Sequence, residues 1–193
     1  MPRRIVLAST SPYRHELLER LGIAFEVARP EVDEAALTGE SPDALAIRLA
    51  EAKGRAVASH YPGALIIGSD QVADLDGRQL HKPGNRDNAI DQLTAASGRR
   101  VRFITAVCVV DAATGAAATR SVETLVTFRL LDRALIERYV DREQPFDCAG
   151  SAKAEGLGIA LIERIASTDP TALIGLPLIA VTDLLAACGV RIP

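Results

Sequence analysis

The chain has 193 residues, a length typical of one domain, and 48% of them are apolar, which is enough for a substantial core. Its net charge of −3 argues against a general nucleic-acid binder, because such proteins are usually basic. No apolar run approaches the roughly 20 residues of a membrane span, and the N-terminal run is too short for a signal peptide. Cys108, Cys148 and Cys188 are isolated and lack metal-finger spacing. We therefore expect a soluble cytoplasmic protein with reduced thiols and no membrane or nucleic-acid partner.

The first predicted elements alternate between strand and helix. Arg4–Ala8 is a short apolar run typical of a buried strand. Ser11 suits an N-cap and Pro12 the first helical position, so a helix is predicted from Pro12 to Leu21, ended by Gly22. The next predictions are a strand at Phe25–Ala28, a helix from Pro42 to about His60 begun by Ser41, and a buried strand at Leu65–Gly68 ending at Ser69-Asp70-Gln71.

Hairpins enter the pattern in the second half of the chain. Asp76-Gly77 is a strong hairpin signal, and Val101–Val110 and Ser121–Leu130 are long enough to pair across Asp111–Gly115. Helices are predicted at Asn85–Ser97, from Asp132 to about Arg142 and at Pro177–Cys188, with a loop of three glycines at Gly150–Gly158. This mixture predicts an α/β protein with a mixed sheet rather than a regular doubly wound one.

The first turn between strand and helix has the features of an anion site. It reads Leu7-Ala8-Ser9-Thr10-Ser11-Pro12-Tyr13-Arg14. Backbone N–H groups at a helix N-terminus are unpaired, and the helix dipole favours negative charge there. Arg14 would add a charge-assisted hydrogen bond, so the turn predicts a phosphate group as its ligand.

Four more charged residues are candidates for phosphate chemistry, and each has an ordinary alternative. Asp70 follows an apolar strand, where a carboxylate can hold a hard cation or accept a proton from water, but an Asx-turn explains it equally well. Lys53 is also explained as a snorkelling lysine, and Lys82 and Glu34 as solvated loop residues. Together with Arg14 they would suit a nucleoside triphosphate and its metal, but sequence spacing leaves open whether they converge.

A series of short motifs covers nearly the whole chain. In order, they are Ala8–Arg14 with Leu17-Leu18, Glu31–Glu34, Ala52-Lys53, Ile67–Val72, Lys82-Pro83, Ala149–Ser151, Glu155-Gly156 and Gly175–Leu178. This series resembles the signature of the Maf family of nucleoside triphosphate pyrophosphatases. The resemblance implies one domain, residues 1–193, with an elongated mixed β-sheet flanked by helices, as in inosine-triphosphate pyrophosphatases. It also implies two lobes around a central cleft and, as is frequent in the family, a homodimer.

The resemblance further implies an activity and the residues that perform it. The reaction is hydrolysis of a nucleoside triphosphate to the monophosphate and pyrophosphate, with a divalent cation such as Mg²⁺, Mn²⁺ or Co²⁺. Asp70 matches the family's proton acceptor, and Glu34 and Asp70 are the expected metal ligands. Phosphate-binding positions of the family are matched by Ser9, Arg14, Lys53 and Lys82.

Three positions tied to base choice in the family correspond here to Tyr13, Gln71 and Glu155. Tyr13 and Glu155 resemble the branch that acts on 7-methyl-GTP, although that branch tends to carry Trp at the first position. N7-methylation makes guanine cationic, so an aromatic face would attract it, and a carboxylate can accept its N1–H and N2–H₂ donors. The alternatives left open are a dTTP and UTP pyrophosphatase, a nucleotide-binding regulator of septation without turnover, and an RNA-cap binder.

Overall fold

The computed structural model describes residues 3–193 as a mixed α/β protein with one mixed sheet, which confirms the predicted fold class. The helices are α1 (Pro12–Glu19), α2 (Pro42–Ala58), α3 (Arg86–Ala96), α4 (Arg133–Glu143) and α5 (Leu178–Ala187). The strands are β1 (Ile5–Ala8), β2 (Glu26–Ala28), β3 (Leu65–Leu75), β4 (Arg78–Leu80), β5 (Arg100–Asp111), β6 (Ala117–Phe128) and β7 (Ile162–Ser167). Short 3₁₀ turns lie at Ala149–Ser151, Leu157–Leu161 and Ala172–Ile174.

The sheet combines parallel and antiparallel pairs. Its strand order is β2-β1-β3-β5-β6-β7, and β4 pairs with β3 outside this order. β1 is parallel to β2 and to β3, whereas β4 is antiparallel to β3 and β7 is antiparallel to β6. No helix described in residues 3–193 is long and apolar enough to cross a membrane.

The structure differs from the elements predicted from the sequence in three places. β3 does not end at Ser69 but continues to Leu75, because the turn at Asp76 and Gly77 pairs its last residues with β4. Both turn residues have positive φ, 50° and 86°, as a two-residue hairpin of this kind requires. Asp70 therefore lies inside a strand, not after one. β7 was not predicted, and the loop predicted at Gly150–Gly158 contains parts of two 3₁₀ turns.

The described chain divides into two compact units. The first comprises residues up to Asp70, 105–122 and 169–193, and the second comprises residues 71–104 and 123–168. In the first unit, apolar residues of α1 and α5 share a core with residues of β1, β3 and β5. The fully buried members of this core are Leu7, Leu17, Leu18, Leu65, Ile67, Val107, Leu176, Val181 and Leu185. This core fixes where β1 ends and α1 begins.

Two glycines let α2 lie directly against β3 in the first unit. A Cβ atom on Gly68 would lie 2.2 Å from the carbonyl oxygen of Ala50 and 2.6 Å from the backbone nitrogen of Gly54. A Cβ on Gly54 would lie 2.9 Å from a methyl carbon of Val110. Only glycine permits backbones to approach this closely, and the approach brings Lys53 of α2 next to Asp70 of β3.

Candidate active site

The turn between β1 and α1 has the caps that its sequence predicts. Ser11 is the N-cap of α1, and its Oγ accepts the backbone N–H of Arg14 at 3.4 Å. Ser9 is buried, and its Oγ accepts the backbone N–H of Ser11 at 3.1 Å. Pro12 occupies the first helical turn, where its missing N–H costs no hydrogen bond. The turn thus places Ser9 and Arg14 at the positively polarised end of α1.

Arg14 is held in place by a backbone carbonyl far along the chain. Its Nε donates to the carbonyl oxygen of Gly175 at 2.8 Å. The hydroxyl of Ser69 lies 3.0 Å from the same oxygen and 2.8 Å from the carbonyl oxygen of Ala106. Gly175 has a φ of 124°, which L side chains rarely adopt. Because the bond uses Nε, the two terminal amino groups of Arg14 are not needed to hold the side chain.

The segment that carries Gly175 is itself fixed by a buried carboxylate. Asp169 is 2% exposed, and its Oδ1 accepts the hydroxyl and the backbone N–H of Thr171 at 2.7 and 3.0 Å. Its Oδ2 accepts the N–H of Ile179 in the first turn of α5 at 2.8 Å. Thr171 Oγ1 accepts the N–H of Leu178 at 2.8 Å. These bonds tie the start of α5 to the segment that positions Arg14.

Lys53 lies between two carboxylates. Its Nζ is 2.7 Å from Asp70 Oδ1 and 2.7 Å from Glu34 Oε1. The side chains of Lys53 and Asp70 are 7% and 10% exposed, whereas that of Glu34 is 62% exposed. The two anionic partners offset part of the cost of removing the Lys53 ammonium from water.

Burial and the neighbouring positive charges have opposite effects on the pKa of Asp70. Burial raises the pKa of its carboxyl, and the nearby Glu34 raises it further, while Lys53 and then Arg14 act to lower it. Burial also lowers the pKa of Arg14, against the influence of Asp70 and Glu34. Asp70 is therefore a carboxylate with increased proton affinity beside two cations, which is the environment expected of a general base.

The loop that carries Glu34 is anchored from α2. The guanidinium of Arg48 donates to both carboxylate oxygens of Glu40, at 2.6 and 2.8 Å, and to the carbonyl of Ala35 at 2.9 Å. These hydrogen bonds from Arg48, with one from the backbone N–H of Leu37, lower the pKa of Glu40 to about 2. The side chain of Glu34 is thus exposed, but the next residue, Ala35, is held by the hydrogen bond from Arg48 to its carbonyl oxygen.

Of the other predicted site residues, Tyr13 is half-buried in the first turn of α1 in the first unit, and Lys82, Gln71 and Glu155 belong to the second unit. Lys82 is exposed and precedes Pro83, whose carbonyl accepts Asn88 Nδ2 at 2.9 Å. Gln71 is half-buried on β3. Glu155 is accessible, and its pKa is raised mainly by partial burial. The structure brings Glu34, Lys53 and Asp70 together in the first unit, and the roles of Lys82, Gln71 and Glu155 stay predictions.

Sequence reasoning missed the residues that hold the site residues in place. Ser69 and Gly175 lie within the quoted motifs, but no role was expected for them, and Asp169 was not considered. Ser69 and Gly175 act through the backbone carbonyl of Gly175, for which residue type gives little signal. Asp169-Pro170-Thr171 was the detectable sign, since an aspartate readily accepts the backbone N–H two residues later in an Asx-turn.

Comparison with known proteins identifies the family. The family model described as Maf-like protein matches residues 4–188. A 7-methyl-GTP pyrophosphatase of Cupriavidus pinatubonensis is 54% identical over 96% of this chain and 94% of its own length. Proteins of the same name from Albidiferax ferrireducens and Nitrosospira multiformis are each 54% identical over 98% of this chain and 96% of their own length.

Among solved structures, the Ham1 protein of Staphylococcus aureus is similar at a TM-score of 0.44 and 18% identity. The match covers 67% of this chain and 73% of that one. The match to the family model, which spans nearly the whole chain, and the 54% identical relatives assign the protein: it belongs to the Maf family.

Proposed function

We propose that the protein hydrolyses 7-methyl-GTP to 7-methyl-GMP and pyrophosphate. The observation that supports the reaction type is the buried ion pair of Asp70 and Lys53, in which Lys53 Nζ lies 2.7 Å from Asp70 Oδ1. The positive charge of Arg14 also acts to lower the pKa of Asp70. A base next to fixed cations suits attack of water on a phosphoanhydride. The choice of substrate is supported by the 54% identical relatives that carry this name.

In the proposed reaction, Asp70 accepts a proton from a water molecule whose oxygen attacks the α-phosphorus. The new P–O bond gives the monophosphate, and the bond from the α-phosphorus to the bridging oxygen breaks, so pyrophosphate leaves with its electron pair. Negative charge grows on the bridging and equatorial oxygens, where Lys53 and Arg14 stabilise it. Ser9, at the N-terminus of α1, and Lys82 are proposed to help to bind the phosphates.

The donor set fits a divalent cation that arrives with the triphosphate. Within residues 3–193, no group of three or more His, Cys, Asp or Glu side chains has the arrangement of a metal centre. Glu34 and Asp70, however, already share one cation, the Lys53 ammonium. Mg²⁺ is commonly held by one or two carboxylates and substrate phosphates. Glu34 and Asp70 would hold the metal, which would supply charge neutralisation at the phosphates.

Base recognition is assigned to Tyr13, Gln71 and Glu155. Tyr13 is half-buried in the first turn of α1, and its ring is proposed to stack on the methylated base. Cation–π attraction to a cationic purine would contribute about 0.5–2 kcal/mol. Glu155 is proposed to accept the N1–H and N2–H₂ donors of guanine, a pair that pyrimidines lack. Gln71 follows Asp70 directly and is proposed to contact the same nucleotide.

The reaction type is tested with Asp70→Asn, which keeps the shape of the side chain and removes the base. We expect pyrophosphate release to be abolished while calorimetry still detects binding of 7-methyl-GTP. Asp74→Asn is the matched control, because Asp74 is also buried on β3 and its Oδ1 accepts the N–H of Gly77, a bond that asparagine can keep. Pyrophosphate release at the wild-type rate by Asp70→Asn would remove Asp70 from the mechanism.

The substrate is tested with a panel of 7-methyl-GTP, GTP, dTTP and UTP, each with Mg²⁺, Mn²⁺ or Co²⁺. We expect kcat/KM for 7-methyl-GTP to exceed that for dTTP strongly, and Glu155→Gln to lower the ratio. Equal efficiencies would defeat the assignment of 7-methyl-GTP, and a preference for dTTP and UTP would instead indicate a dTTP and UTP pyrophosphatase. Tight binding of triphosphates without hydrolysis, with metal supplied, would indicate a nucleotide-binding regulator.

Two further expectations belong to the same proposal. The family resemblance implies a homodimer, which sedimentation equilibrium of the purified chain would detect as twice the 20.5 kDa mass. We also propose a cytoplasmic location, which is checked by fractionation of cells that express the protein.

A further inference from the structure

Gln92 of α3 is hydrogen-bonded to two segments that carry predicted substrate-binding residues. Its Nε2 donates to the carbonyl oxygen of His81 at 2.9 Å, and His81 directly precedes Lys82. Its Oε1 accepts the hydroxyl of Ser151 at 2.7 Å, in the segment that leads to Glu155. The carbonyl of His81 can only accept, so the amide nitrogen must face it, and the amide oxygen is left for Ser151.

Ser151 adopts a conformation that its own side chain disfavours. Its φ is 58° and its side chain is fully buried. Glycine adopts this conformation at lower cost, so a serine at this position indicates that its hydroxyl makes a necessary interaction. We identify this interaction with the hydrogen bond from the Ser151 hydroxyl to Gln92 Oε1. The preceding Gly150 is tightly packed, because a Cβ there would lie 3.0 Å from Phe103 Cζ, and this packing fixes the backbone on which Ser151 stands.

Other bonds hold each segment to its surroundings, so the Gln92 bridge joins two ordered parts. On the side of Lys82, Gly84 donates its backbone N–H to the carbonyl of Phe146 at 3.0 Å. On the side of Glu155, the backbone N–H of Lys153 donates to Tyr139 Oη at 3.0 Å, and that of Leu157 donates to Glu143 Oε2 at 2.8 Å. A displacement of either segment would therefore stretch or break its hydrogen bond to Gln92.

We propose that Gln92 is a positioning residue that couples Lys82 to Glu155, so that phosphate binding and base recognition depend on each other. The inference rests on the proposed function, because it takes the assigned roles of Lys82 and Glu155 as given. It adds a specificity determinant that contacts neither the phosphates nor the base. Its effect must then show in discrimination between bases rather than in the rate of the chemical step.

The first test replaces each end of the Ser151 bond. Gln92→Leu removes both bonds at similar side-chain size, and Ser151→Gly removes the hydroxyl while relieving the left-handed strain. For both, we expect the ratio of kcat/KM for 7-methyl-GTP over UTP to fall about tenfold, with kcat for 7-methyl-GTP near the wild-type value. Thr94→Ala is the control, since Thr94 lies on the same helix and its hydroxyl bonds only within it, to the carbonyl of Ile90.

The Ser151→Gly variant separates positioning from simple stabilisation. Relief of strain offsets the lost hydrogen bond, so we expect its thermal midpoint to stay close to that of the wild type while the ratio falls. An unchanged ratio in Ser151→Gly and Gln92→Leu, whatever happens to the midpoint, would overturn the inference.

The second test measures the coupling directly. Lys82→Ala and Glu155→Gln are combined in a double-mutant cycle on kcat/KM for 7-methyl-GTP, in the wild type and in the Gln92→Leu background. We expect a coupling of at least about threefold in the wild type and none in that background. Coupling that survives Gln92→Leu would overturn this inference alone. If neither Lys82→Ala nor Glu155→Gln affects hydrolysis, the site roles in the proposed function fail instead.

Discussion

Lys53 favours the ionised form of Asp70 in this site. Burial raises the pKa of Asp70, and Lys53 is the strongest influence that opposes the rise. Removing the ammonium would therefore raise this pKa further. Because the base must be ionised to accept a proton, activity is lost as pH falls through that pKa, and the acid limb of the pH profile reports it.

For Lys53→Gln, we expect the acid limb of the kcat/KM profile to move to higher pH, in addition to a loss of rate. The measurement is hydrolysis of 7-methyl-GTP across the pH range in a buffer of constant ionic strength. Arg55→Gln serves as the control, because Arg55 lies on the same helix but pairs with Glu51 on its exposed side. An acid limb that stays in place or moves to lower pH would show that Lys53 does not influence Asp70.

At the scale of the elements, the contact of α2 with β3 places Lys53 next to Asp70. We expect Gly68→Ala to prevent this contact, since its Cβ would meet backbone atoms at 2.2 and 2.6 Å that no side-chain rotation can relieve. The variant should lose its cooperative thermal transition by circular dichroism, or show a midpoint far below that of the wild type.

Gly63→Ala is the matched comparison for that substitution. Its φ of 77° is disfavoured for alanine, but nothing lies within 4 Å of the added Cβ. Its cost should be limited to the local backbone strain, about 1–2 kcal/mol. Equal losses for Gly63→Ala and Gly68→Ala would contradict the argument that close packing of α2 and β3 decides the outcome.

Elements with a strong local pattern were predicted from the sequence, and those defined by distant partners were not. Ser11, Ser41 and Asp132 cap their helices as expected, because capping depends on a few adjacent residues. β7 carries Glu163 and Arg164 at exposed positions, and it is a strand because it pairs with β6. The path of β3 through Asp70 likewise depends on neighbouring strands.

The same distinction holds for the site. The family resemblance pointed to Glu34, Lys53 and Asp70, which the structure brings together through Lys53. Gly175 and Gln92 could not be identified in this way. Gly175 acts through its carbonyl oxygen, and Gln92 is an ordinary residue of a helix whose two partners lie 11 and 59 positions away.

At the scale of the whole molecule, the reactivity of the three cysteine thiols indicates whether the protein is folded. All three are free thiols. Cys108 is fully buried in β5, which raises its pKa, and burial raises the pKa of the half-buried Cys148 to about 12. Thiolates are the reactive species, so both thiols should react slowly under native conditions.

We therefore expect a maleimide at pH 7.5 to modify Cys188 first and to reach Cys108 only when the protein unfolds. Intact mass and peptide mapping identify the modified residue, and labelling in urea provides the reference in which all three react. Rapid modification of Cys108 in the native protein would mean that the sheet opens without unfolding. A mass lower by two hydrogens without reductant would reveal a disulfide.

The hydrogen bond from Arg14 to the carbonyl of Gly175 can form only after both residues have been synthesised. The turn that contains Ser9 and Arg14 is synthesised well before the oxygen that orients Arg14, which comes 161 residues later in the chain. A nascent chain can therefore form the turn and still lack a fixed Arg14 guanidinium until Gly175 has been added. Chains that stop before Gly175 should consequently bind phosphate groups poorly at this turn, because Arg14 is not yet held in place.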